Sequence, residues 1–218
     1  MTYITISKYR KSDFRRLSWQ EYAKTLETLY RKVNNYVKKN HLKIDAVVPI
    51  LRGGAFPGTY LAYKLDLLRV IPVQYRYFIK GKTTELRKVM NFSRKDVKLP
   101  AKPTFLLVEG NHCFGVTAST AAKDLKKNFP SCRIIYAADH IDYSYQKIGY
   151  VDAVFYGRLT NETKILTPKQ CKTKGIANVC YLFPWENLEE EWLTVQSKQF
   201  PYKDLDGVWA TSKKRVVM

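Results

Sequence analysis

The chain has 218 residues, of which 45% are hydrophobic, and 38 lysines and arginines against 19 acidic residues give it a formal net charge of +19. A chain of this length is expected to form a single domain over residues 1–218, and no apolar run approaches the length of a membrane span. The first residues show no signal-peptide pattern, so a cytoplasmic location without membrane contact is expected. The positive surplus favours phosphate-bearing partners, including nucleotides and the backbone of nucleic acids.

The four cysteines show no metal-site or disulfide pattern. Cys113, Cys132, Cys171 and Cys180 lack C-x-x-C spacing and do not cluster with the three histidines. They are therefore expected to be free thiols. The triplet at 161–163 matches the glycosylation pattern N-x-[ST], which carries no meaning in a protein that is not secreted.

The first part of the chain predicts a helix, a strand and a second helix. A helix over 18–33 begins with Ser18 and Glu21, which form a capping-box pattern, and its apolar residues recur at helical spacing. The run 46–50 is continuously apolar, which is typical of a strand inside a parallel sheet. Residues 57–65 follow a glycine pair and are expected to form a crossover helix.

The rest of the chain continues this alternation of strands and helices. The further predicted elements are strands at 70–73, 105–108, 133–138 and 153–156 and a helix at 118–127. A basic segment at about 79–103 shows no sustained periodicity and is expected to form a long mobile loop. The order favours an α/β fold with a doubly wound, mostly parallel sheet, in which ligands lie at the carboxyl ends of the strands.

Glycine-bearing loops follow two of these strands. The first is Leu51-Arg52-Gly53-Gly54, and the second runs from Glu109 to Thr117. A strand that ends in glycines and opens a helix directs backbone N–H groups at a phosphate. Two such loops in one small chain predict a ligand with two phosphate ends.

The sequence resembles the type I phosphoribosyltransferases, in particular the hypoxanthine, xanthine and guanine branch. The resemblance covers nearly the whole chain: a tryptophan-containing first helix, Leu51-Arg52-Gly53-Gly54 after a strand, a basic loop, an apolar strand leading into a phosphate loop, and Phe183-Pro184-Trp185-Glu186. It implies a type I fold with a small hood formed by about residues 1–20 and 165–218. It implies transfer of ribose 5-phosphate from phosphoribosyl pyrophosphate (PRPP) to a nucleobase in purine metabolism, with release of pyrophosphate and with Mg²⁺ as cofactor. A homodimer is also expected.

By this resemblance, the first loop binds pyrophosphate. Its backbone and the Arg52 side chain would hold the leaving group, because glycines allow close approach and charge-assisted donors are strong. The basic loop, with Lys80, Lys82, Arg87 and Lys88, would close over the pyrophosphate and exclude water.

The second loop keeps only part of the family pattern around the ribose and its 5′-phosphate. The family has two adjacent acids, and later a third acid, a hydroxyl residue, glycine, any residue and threonine. Here Gly110 replaces the second acid, Cys113 the third and Phe114 the hydroxyl. Glu109 remains, with Arg52, as a catalytic residue and as an indirect contact for Mg²⁺. The residues expected to bind ribose and phosphate are Glu109, Gly110, Asn111, His112, Cys113, Phe114, Gly115, Val116 and Thr117.

Two residues are predicted to contact the base. Asp139 lies where purine enzymes of this branch carry a lysine, and its carboxylate suits an exocyclic amine better than a carbonyl. A solvated position is the alternative for Asp139. The ring that stacks on the base is expected just before Phe183, where Cys180 and Tyr181 stand, and Tyr181 is the aromatic candidate. Phe183 and Trp185 are expected in the core.

The altered loop leaves the chemistry open. Glu109 either acts alone beside the ribose or is helped by Asn111 or His112, since loss of a carboxylate removes a transition-state contact. The first interpretation is a divergent transferase. The alternatives are a protein of the same fold that binds a nucleotide or nucleic acid with degraded catalysis, and an altered nucleotide-cleaving activity in the same cleft.

Overall fold

The computed structural model describes residues 10–80 and 83–196. The strands in these ranges are β1 (Phe14–Arg16), β2 (Ala46–Leu51), β3 (Val73–Lys80), β4 (Thr83–Met90), β5 (Thr104–His112), β6 (Arg133–Asp142), β7 (Ala153–Thr160) and β8 (Cys180–Leu182). The helices are α1 (Trp19–Lys39), α2 (Ala55–Lys64), α3 (Val116–Asn128), α4 (Pro168–Lys174) and α5 (Leu188–Gln196). None of the helices in the described ranges is long and apolar enough to cross a membrane.

Six strands form the central sheet, in the order β4-β3-β2-β5-β6-β7. Neighbouring strands are parallel except for the antiparallel pair β3–β4. Helices α1 and α2 cover one face through a core that includes Leu29 and Leu61. Helix α3 covers the other face through Ala121 and Leu125. The expected α/β fold with a doubly wound, mostly parallel sheet is therefore confirmed.

Helix α1 begins as the sequence predicts. The Glu21 N–H donates to the Ser18 hydroxyl oxygen at 3.1 Å, and the Ser18 N–H donates to the Glu21 carboxylate at 3.0 Å. This reciprocal cap satisfies two backbone donors at the helix start. The helix ends at Lys39, beyond the predicted end at residue 33. Val33 is its last buried residue, and helical backbone bonds continue past it.

The basic segment at 79–103 is more ordered than expected. Strand β4 pairs with β3 as an antiparallel hairpin at the edge of the sheet, so the expected loop is wrong for residues 83–90, whereas residues 91–103 contain no helix or strand. The carboxylate of Asp124 on α3 holds the hairpin by accepting from the Tyr75 hydroxyl at 2.8 Å and from the Lys88 ammonium group at 2.7 Å. Strand β3 also starts at Val73, later than predicted. Lys82 lies outside the described residues.

Strands β1 and β8 form a separate two-stranded parallel sheet. A small core with Leu17, Tyr22 and Phe183 packs this sheet against α1. This sheet lies within the segments assigned to the hood. Residues 1–9 and 197–218, which complete the predicted hood, lie outside the described residues.

Candidate functional site

The two glycine loops meet at the carboxyl ends of β2 and β5. These strands are parallel neighbours, so the loops share one edge of the sheet. A Cβ atom on Gly110 would lie 2.6 Å from the Gly53 carbonyl oxygen, and a Cβ atom on Gly53 would lie 3.6 Å from the Gly110 nitrogen. The structure therefore places the first loop against Gly110, which lies within β5, and the predicted phosphate-binding residues at the start of α3 follow further along the chain. It also leaves no room for a side chain at position 110.

The first loop offers the exposed residues Arg52 and Gly53, joined to β2 through a cis peptide bond between Leu51 and Arg52. Gly54 has a different role. Its N–H donates to the Ile50 carbonyl oxygen at 2.8 Å, and a Cβ atom on it would lie 2.3 Å from the Val108 carbonyl oxygen. Gly54 thus packs the start of α2 against β5. We expected its N–H to point at a phosphate, and this prediction is wrong because the N–H is bonded to Ile50.

The second loop ends at the N-terminus of α3. Gly115 precedes the helix with a left-handed φ of 69° and gives it no side-chain cap. The N–H groups of the first turn, which includes Val116 and Thr117, therefore lack a side-chain acceptor at the N-cap. A helix start of this kind attracts an anion through its N–H groups and its dipole. The Phe114 ring packs edge-on against Tyr145, 5.4 Å away.

Glu109 is held by two buried residues. The Tyr136 hydroxyl donates to the Glu109 carboxylate at 2.5 Å, and His112 Nδ1 lies 2.8 Å from the same hydroxyl. His112 Nε2 lies 3.0 Å from the Tyr145 carbonyl oxygen, which can only accept, so Nε2 carries a proton. Burial, first, and then the Glu109 charge raise the pKa of Tyr136 well above its usual value. His112 thus supports Glu109 from inside the protein.

Asn111 stands two residues beyond Glu109 and is exposed. Its side-chain amide donates to the Glu162 carboxylate at 2.9 Å. Glu162 is only 6% exposed, and burial raises its pKa to about 7. Sequence reasoning missed Glu162, which stood inside a discarded glycosylation triplet. Its one usable signal was its place just after β7, at the strand edge where ligands bind.

Cys113 is not activated as a nucleophile. Burial raises the pKa of its thiol far above the usual value, and the nearby charges of Glu162 and Asp142 raise it further. Only the thiolate is a good nucleophile. Cys113 and the other three cysteines are free, as expected.

The predicted base contacts lie in the protein interior. Asp139 is fully buried, so it is not a solvated residue, and it accepts from the Tyr22 hydroxyl at 2.5 Å. Burial raises its pKa to about 8. Tyr181 is 5% exposed, and its ring lies 5.2 Å from the His140 ring and 4.9 Å from the Arg158 guanidinium. Base binding by either residue stays a prediction and requires these contacts to open.

Several buried polar atoms at the ends of β6 and β7 lack a hydrogen-bond partner among the described residues. They are Asp139 Oδ1, both ring nitrogens of His140, Thr160 Oγ1 and Glu162 Oε1. Burial lowers the pKa of His140 to about 3, which leaves the imidazole neutral. Buried polar groups are usually paired, so these unpaired atoms beneath β8 can form further hydrogen bonds.

An exposed aromatic surface borders the first loop. Trp185 is 37% exposed, so its expected place in the core is wrong, whereas Phe183 is buried as expected. The Trp185 ring stacks on Phe56, with centroids 4.2 Å apart, and lies 5.9 Å from Trp19. The rings of Trp19 and Phe56 also line a groove of about 510 Å³ between α1 and α2.

No protein-family model and no curated protein sequence matches the chain. Its structure is similar to that of a hypothetical protein from Neisseria gonorrhoeae with bound ppGpp, at 17% identity and a TM-score of 0.62, covering 86% of this chain and 98% of that chain. It is similar to the xanthine-guanine-hypoxanthine phosphoribosyltransferase of Helicobacter pylori, at 17% identity and a TM-score of 0.60, covering 83% and 99%. It is also similar to a purine phosphoribosyltransferase from Pyrococcus horikoshii, at 17% identity and a TM-score of 0.55, covering 80% and 95%. The chain therefore has the type I phosphoribosyltransferase fold.

Proposed function

We propose that the protein transfers ribose 5-phosphate from PRPP to a nucleobase and releases pyrophosphate. The contact between Gly53 and Gly110 carries this proposal, because it sets the first glycine loop against the end of the strand that leads into the second. PRPP bears pyrophosphate and phosphate at opposite ends of one ribose, so it matches two such loops at one sheet edge. The net charge of +19 adds a long-range attraction for a ligand of this charge.

The residues of the two loops bind different parts of PRPP. Arg52 and the exposed backbone of Gly53 bind the pyrophosphate, and the start of α3 with Thr117 binds the 5′-phosphate. Glu109 faces the ribose, with its carboxylate held by Tyr136. A fixed negative charge at this place stabilises the positive charge that develops on the ribose as pyrophosphate departs.

Mg²⁺ fits this site as an ion that arrives with PRPP. Among the described residues, no group of three or more His, Cys, Asp or Glu side chains could form a protein cage for a metal. Mg²⁺ is commonly bound through one or two carboxylates together with substrate phosphates. Tyr136 occupies Oε2 of Glu109, which leaves Oε1 for an indirect contact through water. When bound, the ion neutralises charge on the departing pyrophosphate.

Pyrophosphate release from PRPP and Mg²⁺ across a panel of nucleobases tests the proposal. We expect release that depends on one class of base and falls by about 10²-fold or more in Glu109→Gln, since a charge that acts in the transition state is lost. The matched control is Glu27→Gln, which makes the same change on α1 at a residue that pairs with Lys64, at the end of α2 opposite the first loop. Release that needs no base would indicate nucleotide cleavage instead of transfer.

A second candidate is a nucleotide-binding protein without transferase activity. The similar Neisseria gonorrhoeae protein contains bound ppGpp, and this chain lacks two of the three acids in the family pattern. In that case a nucleotide such as ppGpp would bind in competition with pyrophosphate, and no base would release pyrophosphate from PRPP. Titration of the protein with ppGpp, alone and in the presence of pyrophosphate, separates this candidate from the first.

A further inference from the structure

Glu162 lies outside both glycine loops, yet it contacts the second one. It follows β7, and its Oε2 accepts a hydrogen bond from Asn111 at 2.9 Å. The side chain is more than nine-tenths buried, and its Oε1 has no partner among the described residues. A buried carboxylate is costly unless it is paired, so this arrangement needs a reason beyond packing.

The hydrogen bond fixes which way the Asn111 amide points. Because Nδ2 is directed at Glu162, the amide oxygen Oδ1 points away from Glu162, and Asn111 is exposed. Asn111 lies two residues beyond Glu109 on β5, and Gly110, between them, lies against Gly53. Strand β5 thus presents a carboxylate and an amide oxygen two residues apart.

We propose that Glu162 is a positioning residue that holds Asn111 as the second ribose contact, in place of the carboxylate that position 110 cannot carry. The inference rests on the proposed function, because it assigns a contact to the ribose of PRPP. The Asn111 oxygen accepts from a ribose hydroxyl beside the one bound by Glu109. Without Glu162, the amide is free to rotate and to present its donor instead.

The surroundings of Glu162 make the Asn111 bond important. The titratable groups that act on its carboxyl are Cys113 in the loop, Asp142 on β6, Cys180 on β8 and Glu186 beyond β8. Burial and then the Asp142 and Glu186 charges raise the pKa to about 7, whereas hydrogen bonds from Asn111, first, and from Cys113 lower it. The bond to Asn111 is therefore strongest above about pH 7, when Glu162 is ionised.

Calorimetric titrations of PRPP and of pyrophosphate, both with Mg²⁺, test the inference. Glu162→Met keeps the volume of the side chain but offers the amide only a weak sulfur acceptor, and we expect it to weaken PRPP binding about tenfold and to leave pyrophosphate binding unchanged. Glu162→Gln retains an acceptor oxygen and should bind PRPP nearly as well as the wild type. The advantage of the wild type over this variant should grow between pH 6 and pH 8.

A double-mutant cycle completes the test, because residues that act as one unit are not additive. In the Asn111→Ala background, Glu162→Met should cause no further loss of PRPP affinity. Equal losses for PRPP and pyrophosphate, or additive losses in the double variant, would overturn the inference. If the wild type, Glu162→Met and Glu162→Gln all bind PRPP equally well, the inference is overturned but the proposed function is not. A wild type that does not bind PRPP overturns the proposed function and this inference with it.

Discussion

By the resemblance described above, Gly110 stands where the type I phosphoribosyltransferases carry their second acid, and it lies against Gly53. The sequence alone presents this glycine as a lost carboxylate. The structure adds that a side chain at this position would collide with the backbone of the first loop. The lost carboxylate and the close contact of the loops are therefore two results of one residue.

Gly110→Ala should separate the loops. Its Cβ would lie 2.6 Å from the Gly53 carbonyl oxygen, and overpacking of this kind costs about 1–3 kcal/mol. Urea denaturation should show this loss in the free energy of unfolding. Gly149→Ala is the control, because a Cβ there meets no atom within 4 Å. If the two variants are equally stable, the loops are not in contact.

The residues that support the site could not be found from the sequence. Arg52 and its neighbouring glycines can be recognised in the sequence, because the pattern of a phosphate loop lies within one short segment. Tyr136 reaches Glu109 across 27 positions of the chain, and Glu162 reaches Asn111 across 51. The order of strands in the sheet brings such residues together, and the place of Glu162 after β7 indicates the strand edge but not the contact with Asn111.

Elements with strong local signals were predicted well. The capping pair of α1 and the continuous apolar run of β2 each identify their element without tertiary information. Strand β4 has no such signal, since it contains Glu85, Arg87 and Lys88 and lies at the edge of the sheet with one neighbour. Charges on edge strands prevent edge-to-edge association. The same charges remove the apolar pattern by which a strand is predicted from the sequence.

The attachment of the β3–β4 hairpin to α3 depends on Asp124. Asp124→Ala removes the acceptor of both Tyr75 and Lys88, so we expect faster hydrogen exchange in β4 and a loss of about 1–2 kcal/mol in unfolding free energy. Exchange in β6 should change little. Glu85→Ala breaks an exposed pair with Arg87 and should cost about 0–1 kcal/mol. Unchanged exchange in β4 of Asp124→Ala would contradict this role.

Across the whole molecule, buried acids make stability depend on pH. Burial raises the pKa of Glu162 to about 7, of Glu191 to about 7 and of Asp139 to about 8. Between their usual and raised pKa values, these groups keep protons in the folded state that the unfolded chain has released. The free energy of unfolding therefore falls as the pH rises from about 4.5 to 8. His140 has the opposite effect, but only between about pH 3 and 6.5, because its pKa is lowered.

Glu162→Gln should remove one part of this pH dependence. The neutral amide carries no cost of ionisation, so the variant should gain stability over the wild type by about 1 kcal/mol more at pH 8 than at pH 6. Thermal or urea unfolding at both pH values measures the difference. A gain that is the same at both values would show that Glu162 is ionised throughout this range.

The net charge of +19 is a property of the whole chain and does not select one partner. It favours PRPP, nucleotides and nucleic acids alike, because long-range attraction carries no information on shape. Nucleic-acid binding, the homodimer and the cytoplasmic location stay predictions from the sequence. In the proposed function, the loops at the sheet edge, and not the charge, distinguish PRPP from the other phosphate ligands.

The thermal shift produced by PRPP with Mg²⁺ tests the central claim most directly, since a ligand that binds only the folded state stabilises it by mass action. We predict a concentration-dependent rise in Tm for the wild type and for Arg31→Ala, which removes an exposed arginine on α1 far from the loops in sequence. The same rise should be lost in Arg52→Ala. If PRPP leaves the Tm unchanged while ppGpp or a short nucleic acid raises it, the protein uses this fold for another ligand.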